Sequence, residues 1–223
     1  MASNNVLLYK NFDASAVSCG DLTKNKAGGN QVTLLYQGNK QRIMLQTPAM
    51  SAPFGVSEYV PENNVGPIKY SLDVSFKGTD PKIQSFYEKI QQMDQRMIDL
   101  AVENSPAWFG KKMSKEVVEE LYRPLIKPSK QPDKYAPTMK FKIRALETVE
   151  AFDKDRERFD MVNFQSGSTV KCIVDFAPVW FVNKQFGLTM TVNQLAVEST
   201  PAGKLHGFAF QNESDSELED PEF

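Results

Sequence analysis

The spacing of hydrophobic residues changes twice along this chain, and each change marks a change of secondary structure. In Lys69–Phe76 apolar and polar side chains alternate, which is typical of a half-buried strand. From Pro81 to Glu103 apolar residues recur every three or four positions, which is typical of an amphipathic helix. Alternation returns in Thr138–Leu146. The pattern therefore predicts strands, then a helical segment, then further strands.

Signals at the helix ends support this division. Asp80 can cap a helix, and Pro81 suits a first helical position. A second helix is predicted over Ser114–Tyr122, with Ser114 as its N-cap. The helical insertion would then occupy about residues 80–123.

Turn signals and β-branched residues predict where the strands lie. Gln37–Lys40 is a turn signal, so Val32–Tyr36 and Arg42–Thr47 are predicted to form a hairpin. Residues 48–67 contain four prolines and are predicted to be a loop. The remaining strands are predicted at Thr169–Phe176, Val179–Val182 and Phe186–Glu198.

This order of elements favours a mainly β fold. The OB fold is a small five-stranded barrel, and the sequence fits such a barrel with a helix or helix pair inserted between strands 3 and 4. A β-sandwich with an inserted helical hairpin is the alternative. The chain has 223 residues, 41% of them hydrophobic, which suits a single domain with a substantial core or two small domains.

The net charge of −2 conceals two oppositely charged parts. After Phe210 there are six acidic residues and no lysine or arginine, so residues 1–210 keep 22 of the 28 acids against 26 bases, a net charge of +4. A basic body with an acidic tail is typical of a nucleic-acid binder that also contacts proteins. We therefore predict a nucleic-acid-binding domain over residues 1–210 and a disordered acidic tail over residues 211–223.

Motifs of enzyme chemistry are missing from the sequence. His206 is the only histidine, and it has no partner that suggests a hydrolytic triad or a zinc site. No phosphate-binding loop motif occurs. The acids of Asp153–Asp160 alternate with bases, which favours a salt-bridged surface segment over a cation site. We predict a protein that is not an enzyme and needs no cofactor or metal.

The two cysteines and the start of the chain bear on its location. Cys19 and Cys172 form no metal-ligand motif, so we predict two reduced thiols in an intracellular compartment. Residues 1–5 have neither the basic nor the apolar region of a signal peptide. No apolar run approaches the roughly 20 residues of a membrane span, so no membrane contact is expected.

Basic and aromatic residues alternate in the stretch 108–144, which contains ten lysines and arginines and four acids. Lysine and arginine neutralise a phosphate backbone, and aromatic rings stack on unpaired bases. Sequence-independent binding of a single strand requires both kinds of residue. This stretch therefore predicts a single-stranded nucleic-acid site.

Three groups of residues are the candidates for that site. Lys140, Lys142 and Arg144 would share one face of a strand, opposite Phe141 and Ile143. Trp108 and Phe109 are candidates for stacking on bases. The pair Trp180 and Phe181 is a second candidate, and one of the two must point inward if the segment is a strand. The full predicted DNA-binding set is Lys140, Lys142, Arg144, Trp108, Phe109, Lys111, Lys112, Lys115, Lys127, Lys130, Lys134, Tyr135, Trp180 and Lys184.

The acidic tail ends in a phenylalanine. A terminal ring with its carboxylate can fill an apolar pocket that has a basic rim, and the acids before it can attract basic partners. The same acids can occupy the protein's own DNA site. The predicted partner-binding residues are Glu213, Asp215, Glu217, Glu219, Asp220, Glu222 and Phe223.

These segments carry a resemblance to a known family. Glu219–Phe223 resembles the tails of prokaryotic and phage single-stranded DNA-binding proteins. Glu103–Gly110 and Tyr135–Lys142 are similar to the single-stranded DNA-binding protein of large nucleocytoplasmic DNA viruses, which is related to phage OB-fold binders. The resemblance implies an OB fold and a role in DNA replication, recombination and repair, and it allows homodimers. It also implies that Phe223 contacts replication proteins such as a polymerase, helicase or nuclease, in the host cytoplasm, a viral replication factory or the nucleus.

The resulting hypothesis is a sequence-independent single-stranded DNA-binding protein with a tail that competes with DNA and recruits replication proteins. The alternative is a β-rich interaction protein, such as an acidic-tailed histone chaperone or a virion component. Binding of DNA by the body separates the two classes.

Overall fold

A computed structural model describes residues 6–38, 42–62 and 66–201 of the chain. The predicted acidic tail and His206 lie outside these residues. The described part contains a ten-stranded sheet, a five-stranded sheet and three α-helices. None of these helices is long and apolar enough to cross a membrane.

The helices follow the sequence pattern closely. Helix α1 extends over Pro81–Glu103, and the side chain of Asp80 accepts a hydrogen bond from the backbone N–H of Lys82 at 2.8 Å, as expected of an N-cap. Its buried face consists of side chains three or four residues apart, from Phe86 to Leu100. Helix α2 extends over Ser105–Phe109, a segment for which no helix is predicted. Helix α3 extends over Lys115–Leu121 and corresponds to the predicted second helix.

Fifteen strands lie within the described residues. They are β1 (Val6–Leu8), β2 (Val17–Lys24), β3 (Asn30–Tyr36), β4 (Met44–Gln46), β5 (Met50–Ala52), β6 (Val56–Tyr59), β7 (Lys69–Ser75), β8 (Tyr122–Arg123), β9 (Ile126–Lys127), β10 (Thr138–Ile143), β11 (Glu150–Phe152), β12 (Ser168–Phe176), β13 (Val179–Val182), β14 (Gln185–Gly187) and β15 (Met190–Ser199). Residues 48–67 are not the continuous loop predicted, because they contain β5 and β6. The four prolines of this segment lie before or after strands and not within them.

Five strands close into a barrel. Strand β5 pairs with β7, β7 with β10, β10 with β15, β15 with β12, and β12 with β5. Only the β10–β15 pairing is parallel, and the other four are antiparallel. In chain order the barrel strands run 1-2-3-5-4 and return to 1, which is the arrangement of an OB fold. The predicted mainly β fold with a five-stranded barrel is confirmed.

The inside of the barrel is apolar. Phe141 and Ile143 of β10 and Leu72 of β7 are fully buried, because alternate side chains on each strand point inward. Cys172 of β12 is also buried there, and burial raises the pKa of its thiol to about 12. Cys19 is half-buried, and both cysteines are free thiols, as predicted.

The helices enter the barrel at a different point from the one predicted. They follow β7 and precede β10, which are the second and third barrel strands, whereas the sequence pattern predicts them after the third. The difference arises because that pattern includes Val32–Tyr36 among the barrel strands. The corresponding strand, β3, belongs to the second sheet.

The second sheet has the strand order β2-β3-β13-β14-β8. The predicted hairpin of Val32–Tyr36 with Arg42–Thr47 is therefore wrong. The two edges of β3 are taken by β2 and β13, while β4 pairs with β1 and β12 in the barrel sheet. The predicted strand Phe186–Glu198 is likewise divided, since β14 lies in the second sheet and β15 in the barrel.

A half-buried carboxylate joins α1 to the chain that leads back to the barrel. Asp94 accepts hydrogen bonds from the Tyr122 hydroxyl at 2.6 Å and from the Leu125 backbone N–H at 3.0 Å. Burial raises the pKa of Asp94 above 3.8, although these hydrogen bonds oppose the shift. Burial raises the pKa of Tyr122 well above 10, and the negative charge of Asp94 also contributes to this shift. Asp94 thus holds the segment before β9 against the helix.

Replacing Asp94 with alanine should lower the free energy of unfolding by about 2–4 kcal/mol, because two enclosed donors lose their acceptor. Urea unfolding followed by circular dichroism measures the change. Because the native pKa of Asp94 is raised, its contribution to the free energy of unfolding is largest below pH 3.8 and falls as pH rises through the native pKa. The difference in stability between wild type and Asp94→Ala should therefore decrease with rising pH. Asp99→Ala, which removes a half-exposed carboxylate 3.6 Å from Lys115, is the control and should cost under about 1 kcal/mol. Equal losses in the two variants would contradict a structural role for Asp94.

Candidate nucleic-acid interface

The outer face of β10 carries a row of positive charge. Lys140, Lys142 and Arg144 are exposed, while Phe141 and Ile143 between them are fully buried. This is the separation that the alternating sequence predicts. On the neighbouring strand β9, Lys127 lies opposite Thr138 and extends the same outer face. The four cations therefore line one side of the barrel.

A cleft lies between this face and the second sheet. Its volume is about 460 Å³. Its lining residues come from β6, β7, β10 and β13, and from the segments that follow β8 and β14: Tyr59, Lys69, Tyr70, Ser71, Pro124, Lys140, Lys142, Trp180, Leu188 and Thr189. Basic side chains and aromatic rings thus face one space. We call it the basic cleft.

Trp180 reaches the basic cleft because β13 alternates between two environments. Val179 is fully buried, and the ring of Phe181 packs with Trp108 at a centroid distance of 5.5 Å. Trp180 lies between them in the strand and is half-buried in the cleft. Opposite it on β14 is Gly187, where the Cβ of any other residue would lie 2.8 Å from the indole ring. The indole therefore packs against a position where the absence of a Cβ leaves room for it.

Replacing Gly187 with alanine should displace the indole of Trp180, because the new methyl group would also lie 3.0 Å from the backbone oxygen of Arg123. Overpacking of this kind costs about 1–3 kcal/mol. We expect a lower melting temperature and a shifted Trp180 emission. Gly20→Ala is the matched control, since its Cβ would lie at an ordinary 3.7 Å from the nearest atom. An unchanged emission spectrum in Gly187→Ala would contradict this view of the indole.

The β6–β7 hairpin supplies the other wall of the basic cleft. Tyr59 and Lys69 are cross-strand partners, and the Lys69 ammonium lies 5.6 Å from the centroid of the Tyr59 ring. Such a cation–π contact holds both groups together at the surface. Tyr59 is 57% exposed, so its ring remains open to a ligand. Loss of contact with solvent raises the pKa of the neighbouring Tyr70, and the negative charges of Glu58 and Glu147 raise it further.

Two acids lie among the cations, and both are nearly buried. The Asp73 carboxylate is 3.4 Å from the Lys140 ammonium, and its side chain is 11% exposed against 59% for the lysine. Asp175, whose side chain is 5% exposed, pairs with Arg42 and with Arg144. Because the carboxylates are covered and the cations are not, a ligand approaching this face meets positive charge.

The structure places two predicted stacking residues elsewhere. Trp108 is 5% exposed and belongs to an aromatic cluster with Phe109, Phe181 and Phe186. Phe109 is half-buried in the same cluster, 5.5 Å from Phe186. These rings form the core between α2 and the second sheet, so we withdraw both from the predicted DNA-binding set.

The other predicted cations and Tyr135 are exposed but do not line the basic cleft. Lys111 and Lys112 follow α2, and Lys115 of α3 lies 3.6 Å from Asp99. Lys184 lies in the turn between β13 and β14. The connector between β9 and β10 carries the predicted residues Lys130, Lys134 and Tyr135, and Tyr135 is 65% exposed.

Four residues of this surface were not predicted from the sequence: Tyr59, Lys69, Tyr70 and Arg42. Tyr59 lies in a segment whose prolines predict a loop, and Arg42 meets Asp175 across 133 positions of the chain. Alternation in Lys69–Phe76 could have indicated that Lys69 is exposed. No local signal connects any of the four with Trp180.

The acidic segment 153–160 is salt-bridged, as predicted. Asp153 accepts hydrogen bonds from two backbone N–H groups of its own loop, at 2.9 Å each. Lys154 pairs with Asp155 at 2.8 Å, and Arg158 pairs with Glu150 at 2.9 Å. Within the described ranges, no group of three or more acidic, histidine or cysteine side chains is placed to hold a metal ion.

Solved structures that are similar to this chain include phage proteins. The single-stranded DNA-binding protein gp2.5 of bacteriophage T7 aligns over 74% of this chain and 98% of its own, with 14% identity and a TM-score of 0.49. The single-stranded DNA-binding protein of bacteriophage Enc34 aligns over 83% and 94%, with 11% identity and a TM-score of 0.45. The same Enc34 protein in complex with single-stranded DNA aligns over 84% and 98%, with 11% identity and a TM-score of 0.43. Sequence identities and TM-scores this low do not support assigning the function of these proteins to this chain.

Comparisons of sequence give one match. No curated protein matches the chain. One family model, described as "Family of unknown function (DUF5871)", matches residues 72–210, which include α1, the basic face of β10 and Trp180. Because the matched segment is more than half of the chain, the protein belongs to the Family of unknown function (DUF5871).

Proposed function

We propose that the protein binds single-stranded DNA, without sequence preference, in the basic cleft. The observation that carries the proposal is the meeting of Trp180 and Tyr59 with Lys69, Lys140 and Lys142 around one open space. Ammonium groups neutralise phosphates, and aromatic rings stack on base faces. A paired duplex hides those faces, so the aromatic half of the cleft suits an unpaired strand.

The cleft does not need base-edge recognition to hold a strand. Stacking contributes about 1–3 kcal/mol per base and is tolerant of sequence, because every base has a flat face. Contacts between lysines and phosphates are equally indifferent to sequence. This combination supports a general binder.

The wider role that we propose is support of viral DNA replication, recombination and repair by a protein that is not an enzyme. It would act inside the cell, in the host cytoplasm, a viral replication factory or the nucleus, as a monomer or a homodimer. The six acids after Phe210 would compete with DNA for the basic cleft, and Phe223 would recruit a polymerase, helicase or nuclease. The resemblance of the tail and the basic charge of residues 1–210 support this part of the proposal.

A titration with oligo-dT tests the binding itself. Tryptophan emission should be quenched by oligo-dT, and log Kd should rise linearly with log salt concentration, with a slope of about 0.7 per phosphate contact. Duplex DNA and RNA of equal length, measured in parallel, give the preference of the cleft. Failure to bind oligo-dT at low salt would exclude the proposal, and capture of histones without DNA binding would favour the acidic-tailed interaction protein.

Deleting Glu213–Phe223 should tighten binding of oligo-dT, because six negative charges leave the neighbourhood of the basic cleft. Phe223→Ala in the full chain is the control and should leave DNA affinity unchanged while it weakens capture of replication proteins. Weaker DNA binding by the truncated chain would contradict competition by the tail.

A further inference from the structure

Two arginines that are distant in the sequence meet at one buried carboxylate beside the basic cleft. Asp175 of β12 has a side chain that is 5% exposed, and its Oδ2 contacts the guanidinium of Arg42 and lies 3.9 Å from that of Arg144. Its Oδ1 is enclosed and has no hydrogen-bond partner within the described residues. The carboxylate therefore pairs with the two guanidinium groups through a single oxygen, Oδ2.

The two arginines remain open to a ligand. Their side chains are 56% and 64% exposed, and with Asp175 they line a cavity of about 220 Å³ whose other walls include Ile43, Phe176 and Pro178. The backbone N–H of Phe176 donates to the carbonyl of Ile43 at 3.2 Å, which fixes the segment that carries Arg42. We call this cavity the arginine pocket.

The chemistry of the arginine pocket suits a phosphodiester. Two guanidinium groups and one carboxylate leave a net charge of +1, which balances the single negative charge of one backbone phosphate. A guanidinium also presents its donors as a planar fork that can bind two phosphate oxygens at once. The carboxylate offsets the repulsion between the two cations and so holds both forks at one place.

The arginine pocket continues the row of cations on the barrel. Lys142 is opposite Thr191, and Thr191 is opposite Asp175, so Lys142 and Asp175 occupy one row on the outer face of three neighbouring strands. Strands lie about 4.8 Å apart, which separates the two positions by about 10 Å. A stacked strand of DNA covers that distance in about three nucleotides at 3.4 Å each.

We infer that the arginine pocket is a phosphate-binding subsite, in which Arg42 and Arg144 clamp a backbone phosphate of the strand that lies in the basic cleft. Asp175 is the positioning residue. The inference rests on the proposed function, since the phosphate belongs to the bound DNA. It adds a contact that lies outside the basic cleft and fixes the direction in which the strand leaves it, across β15 and β12.

Substitution of Asp175 gives the sharpest test. Asp175→Asn removes a negative charge from a basic surface, and simple electrostatics would then tighten binding of oligo-dT. If the carboxylate positions the two forks, affinity should instead fall by about fivefold at 0.1 M salt, with a salt slope lower by about 0.7, as for one lost phosphate contact. Tighter binding by Asp175→Asn, in a protein with an unchanged circular dichroism spectrum, would overturn the inference.

Variants of Arg42 keep the inference testable if Asp175→Asn fails to fold. Arg42→Gln should show the same fall in affinity and slope, and Arg42→Lys, which keeps the charge but not the fork, should also bind less tightly than wild type. Arg156→Gln, which removes an exposed arginine from the turn after β11, is the matched control and should bind as wild type does. Equal affinity of Arg42→Gln and Arg156→Gln would overturn the inference.

Together these measurements distinguish three outcomes. If wild-type protein does not bind oligo-dT, the proposed function fails. If wild type binds and the Arg42 variants bind equally well, only the subsite fails. A site for free phosphate would raise the melting temperature of wild type, but not of Arg42→Gln, in inorganic phosphate, while the affinities for oligo-dT stay equal. That result would overturn the assignment to a strand phosphate.

Discussion

Replacing Lys140 and Lys142 together with glutamine should weaken binding of oligo-dT by about 25-fold at 0.1 M salt, because two phosphate contacts are lost. Each contact contributes about 0.7 to the slope of log Kd against log salt, so the slope should fall by about 1.4. Glutamine at position 140 can still donate to Asp73, which now lies 3.4 Å from the lysine ammonium. The variant therefore tests charge without leaving that buried carboxylate unpartnered.

Lys111→Gln combined with Lys112→Gln is the matched control. It removes the same charge from the exposed segment after α2, which does not line the basic cleft. We expect its affinity and salt slope to stay close to those of wild type. Equal losses in the two double variants would mean that binding follows net charge alone, and the basic cleft would lose its place as the site.

Replacing Trp180 with alanine should weaken binding of oligo-dT by about 5- to 150-fold, the range that corresponds to about 1–3 kcal/mol for one stacked base. The salt slope should stay unchanged, because the indole contacts no phosphate. This combination of lower affinity and equal slope distinguishes stacking from charge. Tyr135→Ala, the control, removes an exposed ring outside the cleft and should leave affinity unchanged.

Fluorescence gives a second measure of the same contact. The chain has two tryptophans, and Trp108 is enclosed in the aromatic cluster, so quenching by DNA should come from Trp180. Trp180→Phe keeps a ring for stacking but should abolish the quench while it retains most of the affinity. A quench that persists in Trp180→Phe would contradict the assignment of the contact to Trp180.

Features that depend on a few neighbouring residues could be predicted from the sequence. The helix Pro81–Glu103 and its Asp80 cap follow from local spacing and one hydrogen bond between near neighbours. The exposure of Lys140 and Lys142 follows from strict alternation with Phe141. In each case the backbone conformation alone determines which face a side chain takes.

Features that depend on pairing between distant segments could not be predicted in this way. A turn signal predicts that Val32–Tyr36 pairs with the next strand, yet β2 and β13 occupy both of its edges. The basic stretch suggested Trp108 as a stacking residue, but three other rings enclose it. Burial of this kind is a property of the packed molecule, because it depends on which surfaces meet.

The sequence by itself thus determined a mainly β chain with a helical insertion, a basic face on one strand and a basic body with an acidic tail. Only the tertiary structure brought Tyr59 and Lys69 to Trp180, or joined Arg42 to Asp175 across 133 residues. The physical reason is that closing the barrel and packing the second sheet against it set these distances, and no spacing within a segment encodes them.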